Sequence, residues 1–526
     1  MSICDEAPPK GPATRATCPA TTIPLVPVSV RTIRYLGGDP LDWAGREVAG
    51  DADVDGDQMK DFAIGSPNAN PHMEGRPGRG VIHIMLGALE LSTRVRSPSR
   101  TTLNETMRIN GTMEEGYFGQ QMAFADLDGD SLDDLIVSAP YASPGNRMRS
   151  GQVYIIWGQR NFSDLHRAGA YSDLEAAPAD LVSRIIGEYA PHVFGSDIAK
   201  TGDFDGDGFQ DVVIGAREAG AQGRSFCGEA IVLFGGPRLT TFASRPVQRI
   251  RDLRTMRVIG VEAISYLGTA VSGNADFNKD GFPDIVVGAP WVDSGVGKAF
   301  VVFGRPNPPA KIDLLHDSFM AGERWNFLTL VGQKSADGWA TFGNSVSLAG
   351  DVNVDGYADV VIGAPFFTAV PGSKEVGRVY VFYGRSDPVK ELDISDLTGA
   401  DGGFYMDGMG AGDQFGSSIS SGRVDFNGDG YADILIGSPY KNTQVPLGGQ
   451  ATVIYGRCTP FPTKLSLFKP WSAAIGTHIN GMRPQESFGF AVESAGDVDG
   501  DGRSDLLIGG HFSERQRGAS YLIFSC

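Results

Sequence analysis

The stretch Asp351-Val352-Asn353-Val354-Asp355-Gly356-Tyr357-Ala358-Asp359, followed by Val360-Val361-Ile362-Gly363-Ala364-Pro365, is one copy of a phrase that fixes the architecture. Its pattern is Asp-x-(Asp/Asn)-x-Asp-Gly-x-x-Asp, then an apolar run ending in Gly-Ala-Pro or a near variant. The first Asp of each copy is Asp53, Asp126, Asp203, Asp276, Asp351, Asp425 and Asp497. The spacings are 73, 77, 73, 75, 74 and 72 residues, too regular for chance and long enough for a supersecondary unit.

Around the fifth copy, Thr329 to Gly332 is a short β-prone piece, and Phe342-Gly343 opens an alternating stretch through Val346 and Leu348. Val360 to Pro365 follows the acidic loop, and Gly377 to Gly384 ends the unit. The later segments are apolar at successive positions, as in strands covered on both faces. Parallel α/β sheets share that feature but need helical crossovers, and no long 3.6-residue period occurs between the runs. Four-stranded antiparallel sheets packed face to face satisfy the pattern. Seven of them around an axis make an all-β, seven-bladed β-propeller, which also explains how 526 residues avoid one oversized core. The expected organisation is a flexible, Pro-rich segment over 1–30 and the propeller over 31–526.

The acidic loops carry the chemistry. Calcium takes six to eight oxygen ligands. Loop positions 1, 3, 5 and 9 supply side-chain oxygens, and position 7 supplies a backbone carbonyl. The sets are Asp53, Asp55, Asp57, Met59 and Asp61; Asp126, Asp128, Asp130, Leu132 and Asp134; Asp203, Asp205, Asp207, Phe209 and Asp211; and Asp276, Asn278, Asp280, Phe282 and Asp284. The last three are Asp351, Asn353, Asp355, Tyr357 and Asp359; Asp425, Asn427, Asp429, Tyr431 and Asp433; and Asp497, Asp499, Asp501, Arg503 and Asp505. An EF-hand begins similarly but needs Glu at position 12, where this chain has strand residues such as Ile362. Gly at position 6 permits the sharp turn, and Gln58 and Ser131 replace it in loops 1 and 2. Up to seven Ca²⁺ ions are therefore expected. They would offset fourteen units of a formal net charge of -18, itself unsuited to nucleic acid or anionic membranes. Asp-rich hairpin turns are the plainer alternative.

Phe118-Gly119, Phe194-Gly195, Phe342-Gly343, Phe415-Gly416 and Phe488-Gly489, each followed by the acidic loop and a Gly-Ala-Pro-like run, resemble the FG-GAP repeat. Copies one and four carry Ala44-Gly45 and Leu267-Gly268 instead, while copies three and seven put Arg217 and His511 in place of Pro. The repeat builds the head of integrin α subunits and occurs in prokaryotic surface proteins. The resemblance implies that Ile33 to Leu36 pairs beside Ser520 to Phe524 and closes the ring. It also implies a partner face opposite the metal loops, where Tyr141, Arg217, Trp291, Phe366, Phe367, Tyr440 and Phe512 fall. The function it implies is a calcium-binding extracellular adhesion or recognition module for a protein or glycan at a cell surface. No leg domains follow and no inserted domain interrupts a blade, so an integrin β-type partner is not expected.

Catalysis lacks a signal. None of the seven histidines lies in an HExxH, and no GxSxG elbow or P-loop occurs. A calcium-dependent hydrolase or lyase and a calcium-stiffened structural surface protein are the rival readings. No apolar run is long enough for a transmembrane helix. Cys4, Cys18, Cys227, Cys458 and Cys526 form no CxxC pair, leaving free thiols or two disulfides with one thiol over. Asn104, Asn110 and Asn161 open N-x-(Ser/Thr) sequons.

Overall fold

A computed structural model describes residues 22–24, 31–70, 78–87, 100–102, 107–167, 169, 171, 173–237, 247–316, 326–369, 375–386, 389–468 and 474–525. Seven sheets are present, one for each sequence copy. Blade 5 is representative: Ser345–Gly350, Asp359–Ala364, Arg378–Phe382 and Gly403–Asp407 pair antiparallel in that order. The first strands of successive blades touch one another in a closed cycle around the axis. The acidic loop joins first to second strand in every blade.

Burial explains the double-sided apolar runs. Val360, Val361 and Ile362 are all fully buried, because alternate side chains point into two different interfaces. The core is accordingly divided into seven apolar clusters, each between two neighbouring blades.

Ring closure follows the expected register. Thr32–Leu36 pairs antiparallel with Ala519–Ile523, Ile33 opposite Leu522 and Tyr35 opposite Ser520, as the fourth strand of blade 7. At its centre Arg34 is buried. Its guanidinium donates to Tyr521 Oη (2.8 Å), Ser513 Oγ (2.8 Å) and Glu514 Oε1 (2.9 Å), beside buried Glu486.

The sheets differ from the expected four strands in one respect. Five of the seven carry a fifth, outer strand that runs parallel to the fourth. It comes from the connection between the third and fourth strands of the next blade. Val247–Arg249 pairs with Val182–Ile186, Lys311–Asp313 with Thr255–Ile259, Glu391–Leu392 with Phe327–Val331, and Arg100–Thr102 with Thr32–Leu36. Covering the outer edge removes an unpaired row of backbone groups. Blade 7's own third-to-fourth connection is where the chain's two ends fall. Thr22–Pro24 takes the equivalent place, parallel to Gly476–Asn480 of blade 6. The rest of the 1–30 segment lies outside the described residues.

Deleting residues 31–37 removes the closing strand and is expected to lower the melting temperature markedly. Arg34→Leu keeps the strand but removes the cation beside buried Glu486. It should cost about 3–5 kcal/mol, read by denaturant unfolding.

Candidate metal loops and the opposite face

All seven acidic loops fold alike, and their carboxylates are organised by backbone N–H groups. The position-1 carboxylate accepts from the position-6 N–H at 2.7–3.0 Å in every loop. The position-5 carboxylate accepts from the position-7 N–H at 2.8–3.2 Å, which places Met59, Leu132, Phe209, Phe282, Tyr357, Tyr431 and Arg503 at the end of the turn.

Position 9 has a further role that the sequence did not disclose. Asp61, Asp134, Asp211, Asp284, Asp359, Asp433 and Asp505 are all buried. One oxygen of each accepts from the position-2 N–H at 2.8–3.1 Å. The other accepts from an N–H just past the third strand, for example Gly384 at 3.0 Å and Ser525 at 2.9 Å. The residue thus ties the loop to the end of its own sheet. Burial raises the carboxyls of Asp61 and Asp505 to about 7 and that of Asp211 to about 8, against the pull of those N–H bonds. Burial also lifts Asp284, Asp359 and Asp433 well above the usual range.

Among the described residues, four loops bring three carboxylates within 4.8 Å of one another. These are Asp53/Asp55/Asp57, Asp126/Asp128/Asp134, Asp203/Asp205/Asp211 and Asp497/Asp499/Asp505. In loops 4, 5 and 6 the position-3 residue is Asn, and its amide donates to the position-5 carboxylate: Asn278 to Asp280 (3.1 Å), Asn353 to Asp355 (2.8 Å) and Asn427 to Asp429 (2.8 Å). Asp205 Oδ1 and Asp499 Oδ1 are buried without a hydrogen-bond partner. An all-oxygen donor set with orphaned carboxylate oxygens fits a hard divalent cation.

The turn demands left-handed backbone twice. Position 6 has positive φ throughout, including Gln58 and Ser131 at 70°, so these two replacements are strained as expected. Position 4 also has positive φ, and there Lys279 (58°) and Val354 (62°) stand where the other five loops have Gly. That Gly serves packing as well: a Cβ on Gly129 would lie 2.9 Å from the ring of Phe209, the position-7 residue of the next blade.

On the opposite face run the loops from second to third strand and from fourth strand to the next blade. Of ten exposed large apolar side chains among the described residues, eight lie in these loops: Leu41, Met148, Tyr189, Phe226, Ile264, Trp291, Trp339 and Leu447. Leu315 and Phe468 lie elsewhere. Trp291 (41% exposed), Trp339 (43%) and Phe366 form a row, with centroids 5.8 and 5.9 Å apart. Of the seven residues the resemblance placed on this face, Trp291 is exposed. Tyr141, Arg217, Phe366, Tyr440 and Phe512 are half-buried. Phe367 is a core residue, because it turns under Arg378 rather than outward. Between the faces, an axial cavity of about 440 Å³ is lined by Glu47, Asp197 and Glu493. Asp197 accepts from Val271 N–H of the next blade and Glu493 from Ser421 of the preceding one, so these acids tie first strands together.

Comparison with known proteins bears on the repeat directly. The FG-GAP repeat model matches residues 118–156, 194–226, 268–302, 342–382 and 415–454, which are blades 2 to 6. Five of the seven blades are FG-GAP repeats. Blades 1 and 7 lie outside the matched segments, but the same acidic loop and strand order recur in them. Similar curated proteins include "Integrin alpha pat-2" of Caenorhabditis elegans, 30% identical over 61% of this chain and 24% of that protein. "Integrin alpha-5" of Xenopus laevis is 28% identical over 53% and 23%. The propeller is also similar to "Phosphatidylinositol-glycan-specific phospholipase D" of Bos taurus, 27% identical over 82% of this chain and 46% of that protein. The chain thus spans about a quarter of the integrin relatives and under half of the phospholipase. A solved structure, "Structure of Dos1 propeller", aligns over 94% of this chain and 95% of that one, at 11% identity and a TM-score of 0.40. No helix among the described residues of the FG-GAP propeller is long and apolar enough to cross a membrane. Cys227 is a buried free thiol and the Cys458 thiol donates to Tyr431 Oη at 3.6 Å, while Cys4, Cys18 and Cys526 lie outside the described residues.

Val354→Gly relieves a β-branched residue from the left-handed region and should stabilise the propeller by about 1 kcal/mol, read as a raised denaturation midpoint. The position-9 carboxyls predict a pH dependence for the protein depleted of divalent cations. The pKa values of Asp61, Asp211 and Asp505 lie near 7–8 in the folded state, above an unfolded value of about 4. The folded state therefore holds protons that the unfolded chain has released. Stability should fall as pH rises from about 4 through 8. Melting temperatures of the depleted protein across that window check the sign.

Proposed function

We propose that the propeller is a calcium-binding extracellular adhesion or recognition module. Calcium rigidifies the blades from one face, and a protein or glycan partner is engaged by the loops of the other. The observation that carries this reading is the separation of chemistry between the two faces. Side-chain oxygens gather on the first-to-second-strand loops, and exposed aromatic and aliphatic side chains gather on the opposite loops. Exposed apolar residues on one face suit a partner-binding surface.

Positions 1, 3, 5 and 9, with the position-7 carbonyl, would hold the ion in each of the seven loops. Bound calcium supplies the positive charge that lets clustered carboxylates stay ionised. The protein's own residues do the rest: N–H groups aim the carboxylates, and position 9 joins the loop to its sheet. The integrin relatives favour an extracellular or cell-surface setting. The phospholipase D relative supports a second reading, in which the propeller itself is a calcium-dependent secreted hydrolase.

Thermal unfolding with excess calcium and after depletion tests the metal. Each site filled at a hundredfold its Kd should add about 2.7 kcal/mol, and an unchanged transition would reduce the loops to turns. For the partner face, Trp291→Ser with Trp339→Ser should abolish binding to extracellular-matrix proteins or glycans while the fold is retained. Leu315→Ser with Phe468→Ser should leave binding intact. Equal effects of the two pairs would remove the face assignment, and release of a glycan-linked lipid headgroup by the purified chain would favour the hydrolase.

A further inference from the structure

Loops 3 and 7 already hold a cation from their own chain. Arg254 is the residue immediately before the fourth strand of blade 3, Thr255–Ile259, and Arg31 is the residue immediately before Thr32–Leu36 of blade 7. Each guanidinium lies over the ring that directly follows the third strand of its blade, Phe234 at 4.6 Å and Phe524 at 5.4 Å. From there Arg254 donates to Asp207 Oδ2 at 2.6 Å and also to Asp205 Oδ2, bridging positions 5 and 3. Arg31 Nη2 lies 3.1 Å from Asp499 Oδ2 at position 3.

The two position-3 carboxylates have almost no exposed side-chain surface, 0% for Asp205 and 1% for Asp499. The Oδ1 of each is nevertheless without a hydrogen-bond partner. The arginines are about half exposed, 52% and 40%. In loops 4 to 6 the same position is neutral Asn, whose amide bonds to position 5. Arg254 performs that bridging in loop 3. Counting only the ligand-position carboxylates and these two guanidiniums, loops 3 and 7 reach the formal charge that Asn at position 3 gives loops 4 to 6.

We infer that Arg254 and Arg31 are built-in counter-cations that make loops 3 and 7 a weaker class of calcium site, filled after the others. This rests on the calcium reading above. A divalent ion entering either loop meets a fixed positive charge within a few ångströms and takes oxygens that the guanidinium must release. Because Arg31 belongs to the ring-closing segment, loading of loop 7 is coupled to how that segment is anchored.

Calorimetric calcium titration of the full chain tests the assignment, with folding followed by circular dichroism. The wild type should show two classes of site. Arg254→Gln should tighten one weak site about two- to fivefold, the modest figure expected for a half-exposed charge. Arg254→Lys, which keeps the charge, should leave it weak. Adding Asp203→Asn and Asp207→Asn to Arg254→Gln should delete the tightened site, locating it in loop 3. If Arg254→Gln weakens calcium binding, the arginine positions the ligands and the inference fails while the calcium reading stands. A single class of sites, unmoved by the substitution, has the same consequence. A wild type that binds no calcium removes both.

Discussion

The propeller depends on a backbone-to-backbone contact between glycines of neighbouring blades. The Gly that follows the Phe of each repeat donates its N–H to the carbonyl in the Gly-Ala-Pro-like run of its own blade, as Gly343 does to Gly363 at 3.1 Å. Its own carbonyl then abuts the corresponding Gly of the blade before. A Cβ on Gly288 would lie 2.0 Å from Gly343 O, and one on Gly509 would lie 2.0 Å from Gly45 O. No side chain fits at that distance, so glycine sets the spacing of second strands at six of the seven junctions, with Ser138 in its place in blade 2. The seven interblade clusters of Val, Ile and Phe are assembled at the spacing this contact permits.

Much of this was legible in sequence because the repeat states it seven times. The acidic phrase, the Phe-Gly pair and the Gly-Ala-Pro run mark blade number, strand order and loop position, and the integrin resemblance locates the closing strand at Ile33 to Leu36. The features that stayed hidden have no fixed residue type. The residue before each Phe-Gly pair or its equivalent has φ between 51° and 59° in all seven blades, yet it is Trp43, Tyr117, Val193, Tyr266, Thr341, Gln414 or Ser487. The left-handed turn is imposed there by the burial of its neighbour in the Phe-Gly pair, not by local preference. The outer fifth strands were hidden for a related reason. Val247–Arg249 and Glu391–Leu392 are too short for periodicity to register, and they are strands because an open edge is waiting for them.

Exposure on the face opposite the acidic loops was equally hard to read. Phe366 and Phe367 are adjacent and identical, but one joins the aromatic row and the other enters the core under Arg378. The direction of a loop side chain is set by which blade it overhangs. Leu41, Ile264 and Trp339 sit in fourth-to-first-strand loops whose lengths and composition differ from blade to blade. Variation there, above a constant scaffold, is what a recognition surface requires.

The acidic loop shows how the repeat divides folding from ion chemistry. Position 3 is Asp in four loops and Asn in three, whereas position 9 is Asp in all seven. The hydrogen bonds supply the reason. At position 9 both carboxylate oxygens accept backbone N–H groups, so an Asn there would turn its own NH₂ toward a donor and leave a buried N–H unsatisfied. At position 3 the Asn amide instead finds the position-5 carboxylate and relieves repulsion. Position 9 is therefore fixed by the sheet it joins, and position 3 is free to set the charge of the loop, by Asn in blades 4 to 6 and by a borrowed guanidinium in blades 3 and 7. The propeller thus varies the charge of its acidic loops from blade to blade while the hydrogen bonds that hold each loop on its sheet remain the same.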